Sequence, residues 1–231
     1  MPPSARGRIC LRERSVSQQD DAPVDAPVDG AIDAVVWDIG RVLVQWRIAS
    51  LYEKLIADPR ELDWFLANVV TEEWHAQHDA GVPLAEMIAA RSAEFPAYRP
   101  LIEAYAPNWL DAVPGPVAGT HELVRALDAR GMPQFSITNF GADTWAMFRP
   151  TFPVLDHFRD IVVSGVEKLI KPDAAIFALA ARRFGHEPAR MLFIDDNAAN
   201  IAAADALGWH THHFRDDAAA LRADLVARGL L

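Results

Sequence analysis

Four short apolar runs rich in β-branched and aromatic residues constrain the fold of this chain most: AVVW (34–37), FSI (135–137), IVV (161–163) and LFI (192–194). Runs of that length and character read as strands buried on both faces. Helical patterns accompany them. Ile176, Phe177, Ala180 and Phe184 share one helix face, Leu123, Val124 and Leu127 another, and Leu221 and Leu225 a third. Strands alternating with helices predict a parallel sheet covered on both faces, hence an α/β protein built as a three-layer α/β/α sandwich. Each run ends in a polar residue, Asp38, Thr138, Ser164 or Asp195. That carboxyl edge is where open parallel sheets bind ligands.

The first two strands are far apart, with Asp38 and Thr138 a hundred residues from each other. One crossover helix needs much less, so an insertion is expected between them. Its patterns are helical: Leu62, Phe65, Leu66 and Val69 follow the i, i+3, i+4, i+7 rule, and Leu101, Ile102, Tyr105 and Trp109 form a second stripe. We read residues 47–113 as a helical cap, bounded by the flap-like RVLVQW (41–46) and the Pro/Gly-rich VPGPVAG (113–119). The core is expected over 31–46 and 114–231. Residues 1–30 repeat APVD in tandem, hold few bulky apolar residues and read as a disordered tail.

Composition narrows the chemistry. The 231 residues carry a formal net charge of −10, and no Lys/Arg-rich block offers the clustered cations that phosphate backbones require, so nucleic acid is not an expected partner. No run is long and apolar enough for a membrane helix or a signal peptide, so a cytoplasmic protein without a membrane partner is expected. The lone Cys10 excludes an internal disulfide and any cysteine-based zinc site, leaving oxygen or imidazole for metal chemistry. No GxxxxGK[ST], GxSxG or HExxH occurs.

Taken in order, VVWDIGRVL (35–43), FSITN (135–139), LIKPD (169–173) and FIDDNAAN (193–200), with a helical insert after the first, resemble the haloacid dehalogenase-like hydrolase superfamily. The resemblance covers about residues 33–215 and points to the branch with a small helical cap and a Rossmann-like sheet. It implies a magnesium-dependent phosphatase acting on a small-molecule phosphate ester, as monomer or homodimer. Asp38 matches the nucleophile that becomes a phosphoaspartate, Thr138 and Lys171 the phosphate-binding pair, and the Gly40 carbonyl the main-chain metal ligand. Asp196 aligns with the direct metal carboxylate, while Asp195 is expected to orient a metal-bound water or Lys171. Asn200 matches a supporting polar residue, and Asn139 is expected near the substrate. The residues support such chemistry: a carboxylate approaching phosphate meets a repulsion of about 4 kcal/mol at about 4 Å in an effective dielectric of 20, so cations must be close. Three gathered carboxylates call for a hard divalent ion, and magnesium fits best.

One departure matters. Phosphatases of the superfamily commonly carry a second aspartate two residues after the nucleophile as acid and base, and this chain has Gly40, as does a sub-branch resembling sugar-phosphate phosphatases. A cap residue or water is expected to substitute; His78 in WHAQHDAG (74–81) is the cap candidate, and otherwise an exposed helix histidine. Two rivals remain. A metal-independent 2-haloacid dehalogenase would also use Asp38 and Lys171, but the Asp195–Asp196 pair argues against it. A non-catalytic binding or regulatory protein would keep the fold and lose turnover with the second acid. Arg41 is expected either to contact an anionic substrate or to form an ion pair. WHTHHF (209–214) reads as an edge strand and not a metal site, since alternation separates His213 from His210 and His212. His75 and His78 lack a third ligand.

Overall fold

The computed structural model describes residues 31–231, so the tail expected over 1–30 lies outside the described residues. In chain order, β1 (Ala34–Trp37) is followed by α1 (Ile48–Tyr52), α2 (Pro59–Asn68), α3 (Glu72–Asp79), α4 (Leu84–Glu94) and α5 (Arg99–Glu103). The chain then runs through α6 (Thr120–Ala129), β2 (Gln134–Thr138), α7 (Ala142–Phe148), β3 (Asp160–Val163) and α8 (Ser164–Glu167). It ends with α9 (Ala174–Phe184), β4 (Met191–Asp195), α10 (Ala198–Ala206), β5 (His210–His213) and α11 (Ala218–Ala227).

The five strands form one parallel sheet in the order β3-β2-β1-β4-β5. The chain therefore steps outward from β1 to β3 and then crosses to β4 on the other side of β1. This reversal puts a topological switch point at the carboxyl ends of β1 and β4, the usual ligand crevice of such sheets. Strand alternation separates two apolar layers. Val35, Trp37, Leu192 and Ile194 pack with Leu123, Val124 and Leu127 of α6 and Leu221 and Leu225 of α11. Ala34, Val36, Met191 and Phe193 pack with Ile176, Phe177, Ala180 and Phe184 of α9. Each large side chain so buried contributes roughly 1.5–3 kcal/mol, which fixes the register at every strand. The one indole inside the central strand is satisfied: Trp37 Nε1 donates to Gln134 Oε1 (3.1 Å), and Gln134 Nε2 donates to the Val124 carbonyl (2.9 Å).

Local signals set the helix starts that matter for the strand edge. Asp173 caps α9 through the Ala175 N–H, Asn197 caps α10 through the Ala199 N–H, and Thr71 caps α3 through the Trp74 N–H. The insertion leaves and re-enters the core by adjacent segments, joined where Gln45 N–H donates to Gly115 O (2.8 Å) and Val117 N–H to Leu43 O (3.0 Å). Residues 48–112 form helices, turns and loops and contain no strand. The stripe Leu101, Ile102, Tyr105, Trp109 is not one helix. α5 ends at Glu103 and a 3-10 turn starts at Trp109, because Pro107 removes an N–H and disfavours helical geometry at Ala106. Ile102, Tyr105 and Trp109 are nonetheless fully buried. β5 is an edge strand, and its histidines diverge: His212 Nδ1 meets Asp224 Oδ2 (2.9 Å), while His213 Nε2 meets the Asp196 carbonyl (2.9 Å). Among the described residues no helix is long and apolar enough to cross a membrane.

Candidate active site

Asp38 follows β1 directly, with its N–H donating to Ile194 O (2.8 Å) as the last ladder bond, so the carboxylate emerges at the switch point. Its Oδ1 accepts the Ile39 N–H at 2.7 Å and lies 2.9 Å from Lys171 Nζ. The ammonium of Lys171 is fully engaged: it also donates to Asp195 Oδ2 (2.7 Å) and to the Ile137 carbonyl (2.8 Å). Burial alone would discharge this lysine, but Asp195 and Asp38 outweigh it and hold the ammonium above its ordinary value. Asp38 goes the other way. Burial pushes its carboxyl up, Lys171 pulls it back, and Asp195 and Asp196 push again, leaving it at about 7. Asp196 is raised for the same reasons, burial first and then Asp195.

Asp195, the last residue of β4, is fully buried; its Oδ1 accepts the Asn197 N–H (2.7 Å), and Asn200 Nδ2 donates to both of its oxygens (3.1 and 3.0 Å). Each of Asp38, Asp195 and Asp196 offers one carboxylate oxygen, and these atoms all lie within 4.8 Å of one another. Three carboxylates against one ammonium leave a local deficit of positive charge. Hard oxygen donors so gathered fit a divalent ion such as magnesium. Gly40 lines the same cleft.

Thr138 ends β2 buried, and its hydroxyl has no hydrogen-bond partner among the described residues. An unpartnered buried hydroxyl costs free energy unless something arrives to bind it. Asn139 adjoins the site, where its motif position put it, and also holds Lys171 in place. It lines the cleft, and its amide is spent on the backbone of Lys171, accepting that residue's N–H (2.9 Å) and donating to its carbonyl (3.0 Å). Arg41 lines the cleft as well and pairs with Glu72 Oε1 at 2.5 Å across an exposed contact. Ser164, the remaining strand terminus, is structural: it donates to the Asp79 carbonyl (2.6 Å) and accepts the Phe140 N–H (2.9 Å).

The cleft holds about 250 Å³ and is walled by Trp46 and, from the insertion, by His75, Ala76, Asp79, Trp109 and Val113. The expectation for His78 is overturned. It is 2% exposed, its Nδ1 faces the Val82 carbonyl (2.9 Å), and its ring covers Gly141 so closely that a Cβ there would sit 1.9 Å from Cδ2. The same helix instead turns His75 and Asp79 to the cleft. Glu72, His75, Ala76 and Asp79 all line it, an i, i+3, i+4, i+7 face of α3 whose common side the spacing shows but whose neighbour it does not. His75 is held by Tyr105, whose hydroxyl lies 2.5 Å from Nδ1, and packs at a tilt against Trp46, with ring centroids 4.7 Å apart.

A parallel sheet whose central strand is followed at once by a carboxylate, beside a buried lysine and an acid pair, defines an α/β protein with a candidate active site at its switch point. The chain belongs to the haloacid dehalogenase-like hydrolases: a family model of that description matches residues 32–208. It is 29% identical over 104 residues to the sesquiterpene phosphatase astK of Aspergillus oryzae, a match covering 45% of this chain and 53% of that protein. The chain thus matches about half the length of that relative. A HAD family enzyme from Bacteroides thetaiotaomicron, in complex with magnesium and inorganic phosphate, superposes with a TM-score of 0.62 at 22% identity, over 82% of this chain and 98% of that one. The L-2-haloacid dehalogenase of Xanthobacter autotrophicus shares the fold at a TM-score of 0.57 and 16% identity, over 87% and 84%. The protein is a hydrolase of this family.

Proposed function

We propose that the protein is a magnesium-dependent phosphatase that hydrolyses a small phosphorylated metabolite through an aspartyl-phosphate on Asp38. The observation that carries this reading is the convergence of Asp38, Lys171, Asp195 and Asp196 at the carboxyl ends of β1 and β4, with three carboxylate oxygens inside 4.8 Å. Asp38 attacks phosphorus, and the Lys171 ammonium relieves the repulsion between the two anions. The free hydroxyl of Thr138 donates to a phosphoryl oxygen as charge shifts in the transition state. Asn139 and Asp195 keep Lys171 in register from backbone and side chain. Magnesium, held by Asp38, the Gly40 carbonyl and Asp196 with Asp195 beside them, supplies further charge neutralisation when bound.

Residues 47–113 act as a cap over the core of 31–46 and 114–231, excluding water while the phosphoenzyme forms. The indoles of Trp46 and Trp109 stack with centroids 5.1 Å apart in the cleft wall, beside Val113, which suits a substrate whose organic part is apolar or flat. The second acid of the Asp195–Asp196 pair weighs against a metal-independent dehalogenase. The test is steady-state hydrolysis of a panel of sugar, aryl and isoprenyl monophosphates with and without magnesium, for the wild type and Asp38→Asn. Magnesium-dependent turnover lost in the variant is expected. A clean, folded wild type inert on every ester would sink the reading in favour of a non-catalytic protein.

A further inference from the structure

Gly40 leaves the reaction without the usual acid–base group, and the space around it is open: a Cβ built there meets nothing within 4 Å. On the insertion side of the same cleft, α3 presents a carboxyl group. Asp79 is 9% exposed, and its Oδ1 has no hydrogen-bond partner among the described residues. His75 Nε2 stands 3.4 Å from that oxygen, one turn earlier on the helix. The protonation of this histidine is fixed from behind. Tyr105 is pushed well above its ordinary value by burial, so its hydroxyl keeps its proton and donates to His75 Nδ1 at 2.5 Å. The ring proton then resides on Nε2, facing Asp79. Burial, with help from His78 and Arg41, holds His75 down at about 3, so it stays neutral.

The groups facing Asp79 are therefore a neutral imidazole, the Gly141 N–H, the Asp38 carboxylate and the Lys171 ammonium. Burial and Asp38 push its carboxyl up to about 7, against Gly141 and Lys171. Its unpartnered Oδ1, carried by α3 on the cleft wall, can exchange a proton with an ester or a water in the cleft, as a general acid and base requires.

We propose that Asp79, supplied by the insertion, is the general acid and base of the hydrolysis, in the role that Gly40 vacates. The inference rests on the phosphatase reading above. In the first half, an Asp38 Oδ–P bond forms as the P–O bond to the leaving group breaks, and the Asp79 carboxyl proton passes to the departing oxygen. In the second, the Asp79 carboxylate takes a proton from water as its oxygen bonds to phosphorus, releasing inorganic phosphate and free Asp38. His75 is a positioning residue for Asp79, and Tyr105 for His75.

The experiment compares Asp79→Asn with the wild type, with magnesium present, on an alkyl phosphate and on p-nitrophenyl phosphate, whose nitrophenolate leaves without a proton. For the variant, kcat/KM on the alkyl ester is expected to fall by about 100-fold or more, within the usual span of general acid catalysis. On the aryl ester kcat/KM is expected to hold, while kcat falls and a stoichiometric burst of nitrophenolate appears, because the phosphoenzyme forms but is hydrolysed slowly. The exchange variant Gly40→Asp with Asp79→Asn is expected to recover alkyl-ester turnover, and Asp79→Ala, read on the same two esters, serves if Asp79→Asn folds poorly. Unchanged kcat/KM on the alkyl ester in the single variant overturns the proposal, as does an equal fall on both esters in a variant that melts like the wild type. A wild type inert on both esters fails earlier, and removes the phosphatase reading together with it.

Discussion

Lys171 Nζ lies 2.9 Å from Asp38 Oδ1 and 2.7 Å from Asp195 Oδ2, so one buried ammonium holds together the ends of β1 and β4 on either side of the switch point. A buried charge that loses its partner is costly, whereas the intact cluster has little net worth over an apolar one. Lys171→Met is therefore expected to destabilise the protein by about 3–5 kcal/mol, because two buried carboxylates lose their counter-charge. Lys171→Met with both Asp38→Asn and Asp195→Asn is expected to recover most of that loss. Thermal melts of the two variants check it, and equal melting of the single variant and the wild type would refute it.

Gly141 and His78 form a second pair that joins core and insertion. A Cβ at Gly141 would sit 1.9 Å from His78 Cδ2 and 2.0 Å from Nε2, and the ring is buried. Gly141→Ala should cost about 1–3 kcal/mol or more as an overpacked site. Adding His78→Ala should restore part of it, giving a coupling of the favourable sign in a double-mutant cycle read by denaturant unfolding. Additive losses would mean that the two residues do not share the space.

Much of this was legible in the sequence, for identifiable reasons. Strands buried on both faces leave continuous apolar runs, so β1 to β4 stand out, and parallel topology sends their polar termini to one edge; Asp38, Thr138 and Asp195 needed nothing more. What the spacing could not give is which face of a helix meets which neighbour. His78 and Asp79 are adjacent on α3, yet one packs beneath Gly141 and the other faces the cleft, and that depends on how the insertion sits over β2's following loop. Asn139 is a similar case: its motif position set its location at the cleft, but only the structure reveals that its amide bonds the backbone of Lys171. The stripe ending at Trp109 failed locally, because apolar periodicity outlasts a helix that Pro107 interrupts.

Asp79 should also leave a mark on stability. Its folded value of about 7 exceeds the ordinary 3.8, so between those pH values the native state holds a proton that the unfolded chain has released. That contribution is fully present below about pH 3.8 and is lost as pH rises to about 7, at up to about 1.4 kcal/mol per pH unit. His75 acts oppositely, since its folded value of about 3 lies below 6.5 and its contribution is lost as pH falls from 6.5 towards 3. The difference between wild type and Asp79→Asn cancels the shared His75 contribution to first order. The variant is thus expected to gain in melting temperature relative to the wild type between pH 5 and pH 7.5. A flat difference across that range would show that Asp79 is ionised throughout.

Asp196 offers the clearest separation of metal binding from fold stability. It is half-buried beside two other carboxylates, and burial together with Asp195 raises its carboxyl. Without a cation, Asp196→Asn removes a repelling charge and is expected to raise the melting temperature. With magnesium the order should reverse. A ligand at a hundred times its Kd stabilises the native state by about 2.7 kcal/mol, which for a chain of this size shifts melting by roughly 5–10 °C. The wild type should show such a shift, and Asp196→Asn should lose most of it because one of three gathered oxygens no longer carries charge. Melting curves over a magnesium titration, with calcium as the larger-ion control, read both effects at once. Equal shifts in wild type and variant would mean that Asp196 is not a ligand, and no shift in the wild type would mean that the three acids do not hold the ion.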